Sequence, residues 1–368
     1  MKIRSGVFRI IIKVMIALVA IVAVGTVVFL VLQVMGHSRL TSNNKVPDLS
    51  VMRGNTDSIA GMQTAGPDGI VVTPIPVEED NWQEGDIRYE GIHYRYNEDI
   101  MTFLFLGIDK MGEVKEAENG IQGGQSDAIF LLVLNPHTNK ISIIGVNRDT
   151  MTDIDVYSKS GFFVSTIQAQ LCLQHGYGDG MEGSCERTRE AVSRLFYGLP
   201  IHGYCSINMG AIPLINDAVG GVELEALENV PYEGGKFTEG QTVHLKGMQA
   251  YYYLHNRDTN SFNSAGRRLD RQKQYLKAYA AAAVSAMQKD ISLPVKLYST
   301  LSKYMVTDVS LDEVTYLAGQ IANYQLEEEN IYSLRGETRQ GEKFEEFYVD
   351  EKALYELILQ VFYEEVEE

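Results

Sequence analysis

MTFLFLGI (Met101–Ile108), AIFLLVL (Ala128–Leu134) and KISIIGV (Lys140–Val146) are three short runs in which apolar residues follow one another with little polar alternation. Runs of this length, bounded by turn-forming residues, read as strands buried on both faces. The cluster NPHTNK (Asn135–Lys140) joins the second to the third as a hairpin. Strands with no solvated face need cover on each side, so the fold class expected is α/β, with helices on both faces of the sheet.

Outward from these strands, IRYEGIHYRYN (Ile87–Asn97) alternates around Glu90-Gly91 as a hairpin does. Helices are expected over 166–175, 186–197, 211–219, 246–255, 266–289, 295–304 and 311–324, with strands at 204–208, at 222–225 and near Ile331. In the last helix Leu354, Leu357, Ile358, Val361 and Phe362 recur at helical spacing as a core stripe. The acidic end EEVEE is expected in solvent. No repeat or linker divides residues 86–368, which read as one domain.

The start of the chain is different. Val14–Met35 is uncharged for twenty-two residues, enough to cross a hydrocarbon layer about 30 Å thick as one helix. Lys2, Arg4, Arg9 and Lys13 precede it, so residues 1–13 are expected in the cytoplasm and everything beyond 35 outside the plasma membrane. Residues 36–85, rich in Ser, Thr, Asn, Asp, Gly and Pro, read as a tether of roughly 40 Å. Beyond residue 35 the chain holds 28 basic and 49 acidic residues. A body so acidic excludes nucleic acid as a partner. Three cysteines do not make a disulfide framework, although Cys172 and Cys185 are near enough in sequence to pair. No HExxH, CxxC, GxSxG or Walker A pattern is present.

Against that acidity, YLHNRDTNSFNSAGRRLDRQ (Tyr253–Gln272) concentrates Arg257, Arg267, Arg268 and Arg271. Guanidinium forks match phosphate oxygens two at a time, and several on adjoining segments suit a diphosphate. Two polar patches sit at ends of the buried strands: GGQSDA (Gly123–Ala128), with Asp127, and GVNRDT (Gly145–Thr150), with Arg148 and Asp149. Strand ends are where α/β scaffolds carry their sites.

In order and spacing these patches resemble the LytR-CpsA-Psr family, which attaches glycopolymers to bacterial cell walls. FLGIDK is similar to that family's first strand motif, QSDA to its Ser-Asp-Thr motif, and GVNRDT to its Pro-Arg-Asp motif with Asn147 for proline. LINDAVGGVEL (Leu214–Leu224), LKGMQAYYYLHNR and RRLDRQ resemble its later elements. The resemblance implies a central mixed β-sheet flanked by helices, with a pocket for a polyprenyl chain beside a pyrophosphate site containing Mg2+. It also implies transfer of a phosphoglycan from a polyprenyl diphosphate-linked glycopolymer to a hydroxyl of peptidoglycan. Arg148, Arg257, Arg267, Arg271, Gln272 and His255 would hold the diphosphate, Asp127 and Asp149 the metal, and Asp149 or Asp109 would act as base. The chain departs from the pattern at three further places. His255 replaces the first arginine of Arg-x-Arg, Ser264 an aspartate, and Thr166-Ile167-Gln168 a Lys-x-Asn. The first two leave a non-catalytic binder of polyprenyl phosphates or wall glycans as the alternative.

Overall fold

The computed structural model describes residues 46–49, 82–83, 85–118, 122–321 and 324–366. Strands β1 (Ile87–Tyr89) and β2 (Ile92–Tyr96) form the first hairpin, and β3 (Met101–Ile108), β4 (Ser126–Asn135) and β5 (Lys140–Val146) contain the three apolar runs. A ribbon of β6 (Met151–Tyr157) and β7 (Phe163–Gln170) precedes helices α1 (Leu173–Gly176) and α2 (Glu182–Leu195). Strand β8 (Gly203–Asn208) and helix α3 (Ile212–Ala218) lead to β9 (Val222–Glu225), β10 (Val230–Tyr232), β11 (Gly235–Phe237) and β12 (Thr242–Leu245). Helices α4 (Met248–His255), α5 (Ser264–Lys289) and α6 (Leu293–Leu301) follow, then β13 (Met305–Thr307), α7 (Leu311–Ile321) and β14 (Ile331–Ser333). The chain continues through β15 (Gly336–Gln340), β16 (Glu345–Val349), α8 (Glu351–Phe362) and β17 (Tyr363–Glu365).

Six strands form the central sheet in the order β13-β8-β3-β4-β5-β14. It is mixed: β3 runs parallel to β8 and β5 to β14, whereas the β3–β4, β4–β5 and β8–β13 pairs are antiparallel. The strand period of two sends Leu104, Leu106, Ile129, Leu131, Ile144 and Val146 to one face. There they pack with Ala191 and Val192 of α2 and Leu354, Ile358 and Phe362 of α8. The opposite face, with Phe103, Phe130 and Ile143, packs against Leu269 of α5 and Tyr316 of α7. Cover on both sides accounts for the lack of polar alternation in the sequence.

Two expectations change. Residues 166–175 are not a helix: 163–170 form β7, paired antiparallel with β6, and only the four-residue α1 follows. Val164, Thr166 and Ile167 are β-branched, and a pairing partner within one short turn decides in favour of the strand. The acidic end faces solvent at Glu364 and Glu365 as expected, while the backbone of Tyr363–Glu365 pairs with β2. Within the expected tether, Leu49 is buried in the main core and the Asp48 amide donates to the Tyr197 carbonyl at 2.8 Å. The apolar run Val14–Met35 lies outside the described residues, among which no helix is long and apolar enough to cross a membrane.

Leu131 lies at the centre of β4 with no exposed surface. Leu131→Ala is expected to lower stability by about 3 kcal/mol, the usual cost of such a core truncation. Urea denaturation checks it through the midpoint at unchanged slope.

Candidate diphosphate site

Asp127 owes its position to an irregularity in the strand it begins. Gly107 pairs with Ala128 but Ile108 pairs with Ser126, so Asp127 is the extra residue of a bulge. Bulges re-aim side chains and are common beside active sites. Two arginines converge on its carboxylate: Arg148, leaving β5, reaches Oδ1, and Arg268, in the first turns of α5, donates from Nη1 to Oδ2 at 2.9 Å. A second Arg268 nitrogen lies 3.3 Å from the Asp127 carbonyl. Gly145 permits this approach, since a Cβ there would sit 3.1 Å from Leu269 Cδ1. Burial, with Arg257 and Arg148 nearby, pushes Arg268 down to about 9, still protonated at neutral pH.

Arg148 is held from several sides. Its Nη2 donates to Gln125 Oε1 and lies 3.0 Å from Cys172 Sγ, and its Nε is 3.3 Å from Asp149 Oδ1. Asp149 also accepts from Gln170 Nε2 at 3.0 Å, and burial raises its pKa while Arg148, Arg257 and Arg268 oppose the rise. Asn147, where the resemblance expects proline, accepts the Asp149 amide on its Oδ1 at 3.0 Å, and its carbonyl accepts the Thr150 amide at 3.0 Å. An Asx turn thus forms the bend that proline would otherwise preset.

The other arginines divide. Arg257 donates to Ser264 Oγ at 2.6 Å and has no carboxylate at ion-pair distance among the described residues. Ser264, standing where the resemblance expects aspartate, therefore leaves that guanidinium's charge uncompensated. Arg267 instead turns to Glu228 Oε2 at 3.3 Å, the Phe262 carbonyl at 2.8 Å and Ser261 Oγ at 2.7 Å. Arg271 is wholly buried, pairs with Glu228 Oε1 at 2.8 Å and donates to the carbonyls of Tyr253 and Asn256. Gln272 donates to the Leu254 carbonyl at 3.2 Å. Arg267 and Arg271 thus brace the α4–α5 connection, and Arg268 is the arginine that reaches Asp127. Its signal in the sequence was spacing: 268 and 272 lie one helical turn apart on one face, and 267 points about 100° away.

An apolar cavity of about 150 Å³ opens between the sheet and α5. Gly107 and Ala128 lie on its floor, Phe105, Phe130 and Tyr279 form walls, and His255 and Gln272 are its polar members. The two small floor residues face each other in register, where a Cβ on Gly107 would come 3.0 Å from that of Ala128. His255 stacks on Tyr251 with ring centroids 4.9 Å apart, and burial, followed by the charges of Arg268 and Arg257, keeps its pKa below the usual range. The imidazole is therefore neutral at pH 7. Exposed Asp109 accepts the Gln125 amide on Oδ1 at 2.7 Å, and its charge is felt at His255. The tyrosine run does not line the cavity: Tyr253 is buried edge-on against Phe237.

Among the described residues no three His, Cys, Asp or Glu side chains gather as a metal site. Magnesium needs only one or two carboxylates when phosphate oxygens and water complete its shell. Asp149 engages its neighbours through Oδ1 and fits such a role, whereas Asp127 fits only after giving up an arginine. All three cysteines are free thiols, and Cys172 faces Arg148 while Cys185 lies 4.0 Å from His175 Nε2.

The mixed sheet thus sets buried aspartate–arginine pairs at its strand ends beside an apolar cavity, a charged site and an apolar site side by side. The sequence profile of the LytR_cpsA_psr family matches residues 77–360, and the chain belongs to that family. Over 259 residues, 69% of this chain and 73% of the relative, it is 29% identical to a polyisoprenyl-teichoic acid–peptidoglycan teichoic acid transferase TagU of Oceanobacillus iheyensis. Protein gbs0355 of Streptococcus agalactiae has a similar fold, with a TM-score of 0.57 at 20% identity over 71% of this chain and 86% of that one. TagV of B. subtilis does too, with a TM-score of 0.54 at 20% identity over 71% and 96%.

His175 ties α1 to the Gly124 carbonyl through Nδ1 at 3.0 Å, and burial drives its pKa down to about 4. The unfolded chain, with histidine near 6.5, binds the proton more readily, so stability is lost as pH falls from there toward 4. The loss attributable to this residue is expected to approach roughly 3 kcal/mol, at 1.36 kcal/mol per pKa unit. Thermal melting of wild type and His175→Gln between pH 7 and pH 4 checks it, the variant losing that component of the pH dependence.

Proposed function

We propose that this chain is a membrane-anchored extracellular phosphotransferase that moves a phosphoglycan from a polyprenyl diphosphate carrier to peptidoglycan. The observation that carries the reading is the adjacency of an apolar cavity to an excess of guanidinium charge, with Arg148, Arg268 and unpaired Arg257 facing Asp127 and Asp149. The polyprenyl end would enter between Phe105, Phe130 and Tyr279 and the diphosphate would meet the arginines. The printed name of the relative from Oceanobacillus iheyensis agrees with a teichoic acid as the glycopolymer. The basic tail and the apolar run Val14–Met35 support a single-pass anchor with the folded domain outside the cell.

In the proposed reaction an acceptor hydroxyl oxygen attacks the phosphorus that bears the glycan. The bond from that phosphorus to the bridging oxygen breaks, and polyprenyl phosphate leaves. The anhydride is already activated, so catalysis rests on positioning and on neutralising charge. Arg148 and Arg268 would turn from Asp127 toward the phosphate oxygens, and Arg257 would join them from the far side. The hydroxyl proton passes to a carboxylate. Asp109 is the accessible candidate, whereas buried Asp149 is better placed to orient Arg148. Magnesium, held by Asp149 and Asp127 together with diphosphate oxygens, would further neutralise the leaving group.

The second reading, a non-catalytic binding scaffold, is favoured by a single observation: His255 is neutral where the family pattern has a permanent cation. Full-length protein with magnesium and a polyprenyl diphosphate sugar distinguishes the two. Wild type is expected to release polyprenyl phosphate. Arg148→Ala and Arg268→Ala should lower that release by about a hundredfold each, the scale for removing a transition-state charge partner. An inert wild type that still binds the lipid would establish the scaffold instead. His255→Arg restores the cation, and it is expected to tighten diphosphate binding at pH 7.5 and to weaken its dependence on pH, as read by titration calorimetry at pH 5.5 and 7.5. Ala128→Leu, which narrows the cavity floor, should weaken binding of long polyprenyl chains more than that of short ones.

A further inference from the structure

The β6–β7 ribbon ends in an apolar tip that the reaction above does not use. Phe162, Phe163 and Val164 are consecutive and 73, 58 and 61% exposed, and Ile167 on the same strand is also exposed. Their display is built into the turn. The Ser158 amide donates to the Phe162 carbonyl at 2.8 Å, the Gly161 amide to the Ser158 carbonyl at 2.9 Å, and Ser158 Oγ accepts the Phe162 amide at 3.1 Å. Gly161 has a φ of 79°, which a side chain would resist. Contiguous exposed apolar residues on an ordered turn mark a contact surface, and isolated ones do not.

Charge selects the partner. From Tyr157 to Gln170 the only charged residue is Lys159, at the turn itself, in a chain of net charge −17. An acidic body is repelled by an anionic surface, and this ribbon tip offers an acid-free approach, with aromatic rings to enter the headgroup boundary and an ammonium to stay among the phosphates. At its other end the ribbon is rooted in the site. Strand β6 begins two residues after Asp149, and Gln170, which ends β7, holds the Asp149 carboxylate.

We propose that the tip of the β6–β7 ribbon docks into the interface of an anionic lipid bilayer and orients the site toward its lipid-borne substrate. This assignment rests on the proposed carrier lipid. Because Leu49 is docked in the core, only about ten residues separate the apolar run Val14–Met35 from the domain, a link short enough to keep the tip near the surface, so a weak contact suffices.

The test uses full-length protein in phosphatidylglycerol vesicles. An environment-sensitive dye is placed at Phe162→Cys or, as a control, at the exposed helix α8 position Lys352→Cys, with dye-treated wild type correcting for the native thiols. The dye at 162 is expected to shift to the blue and to be quenched by spin-labelled lipids, and the dye at 352 is not. Equal solvent exposure at both positions overturns the assignment, as does shielding of the 162 dye by isolated peptidoglycan in detergent without vesicles. Replacing Phe162, Phe163 and Val164 by serine should lower release from bilayer-embedded carrier by about tenfold. Release from a short-chain carrier dispersed in detergent should stay unchanged. Equal loss with both substrates would make the tip a support of the site and overturn the proposal. If wild type turns over neither substrate, the proposed transferase reading fails, and the dye measurement still decides the tip.

Discussion

One carboxylate shared by two arginines is the constraint around which the site is built. Asp127 is 8% exposed and Arg268 2%, so each ion in the cluster has left most of its water behind. Removing one partner of a buried pair strands the other at several kcal/mol, so Arg148, Asp127 and Arg268 must be held together by the fold. The bulge that turns Asp127, the bare Cα of Gly145 beneath Leu269 and the Asx turn of Asn147 all serve that arrangement. Asp127 and Asp149 balance Arg148 and Arg268, so Arg257, without a carboxylate partner among the described residues, is the one guanidinium in excess that an arriving anion would meet. A site with such an excess favours a ligand that brings its own negative charge.

The departures from the family pattern act at different distances from this cluster. Asn147 replaces the rigidity of proline by a hydrogen bond and keeps the bend. Ser264 gives up a carboxylate, and the charge of Arg257 becomes available. His255 alone withdraws a cation, and its ring, stacked on Tyr251, lines the cavity where the family pattern has an arginine. The three changes leave the anion-binding half of the site close to balance and alter chiefly its junction with the apolar half.

The central sheet was legible because burial on both faces leaves an unmistakable run of apolar residues, and the stripe of α8 was legible through its period. The β6–β7 ribbon was not. Its second strand is largely exposed, so neither face selects a pattern, and Gln168, Ala169 and Gln170 suit a helix as well as a strand. Asp127, Arg148 and Asp149 stood out as polar residues where apolar strands begin and end. The choice between Arg267 and Arg268 depended on helical phase, and motif spacing counted from Arg267 pointed away from the residue that reaches Asp127. Arg271 and Gln272 were visible as a motif, but their roles toward backbone carbonyls follow from the packing of α4 on α5, which no local pattern encodes.

The first hairpin of the domain is closed by its last strand, since β2 lies between β1 and β17 in a small sheet of their own. The chain therefore enters and finishes at one place. In mechanical terms, tension entering at β1 would meet the paired backbone of this small sheet, and tension at Leu49 would meet the main core. Asp127 and Arg148 stand at strand ends of the separate six-stranded sheet and not in this terminal ladder. A load on the terminal ladder would therefore reach the charged cluster only through packing and not along its own strands.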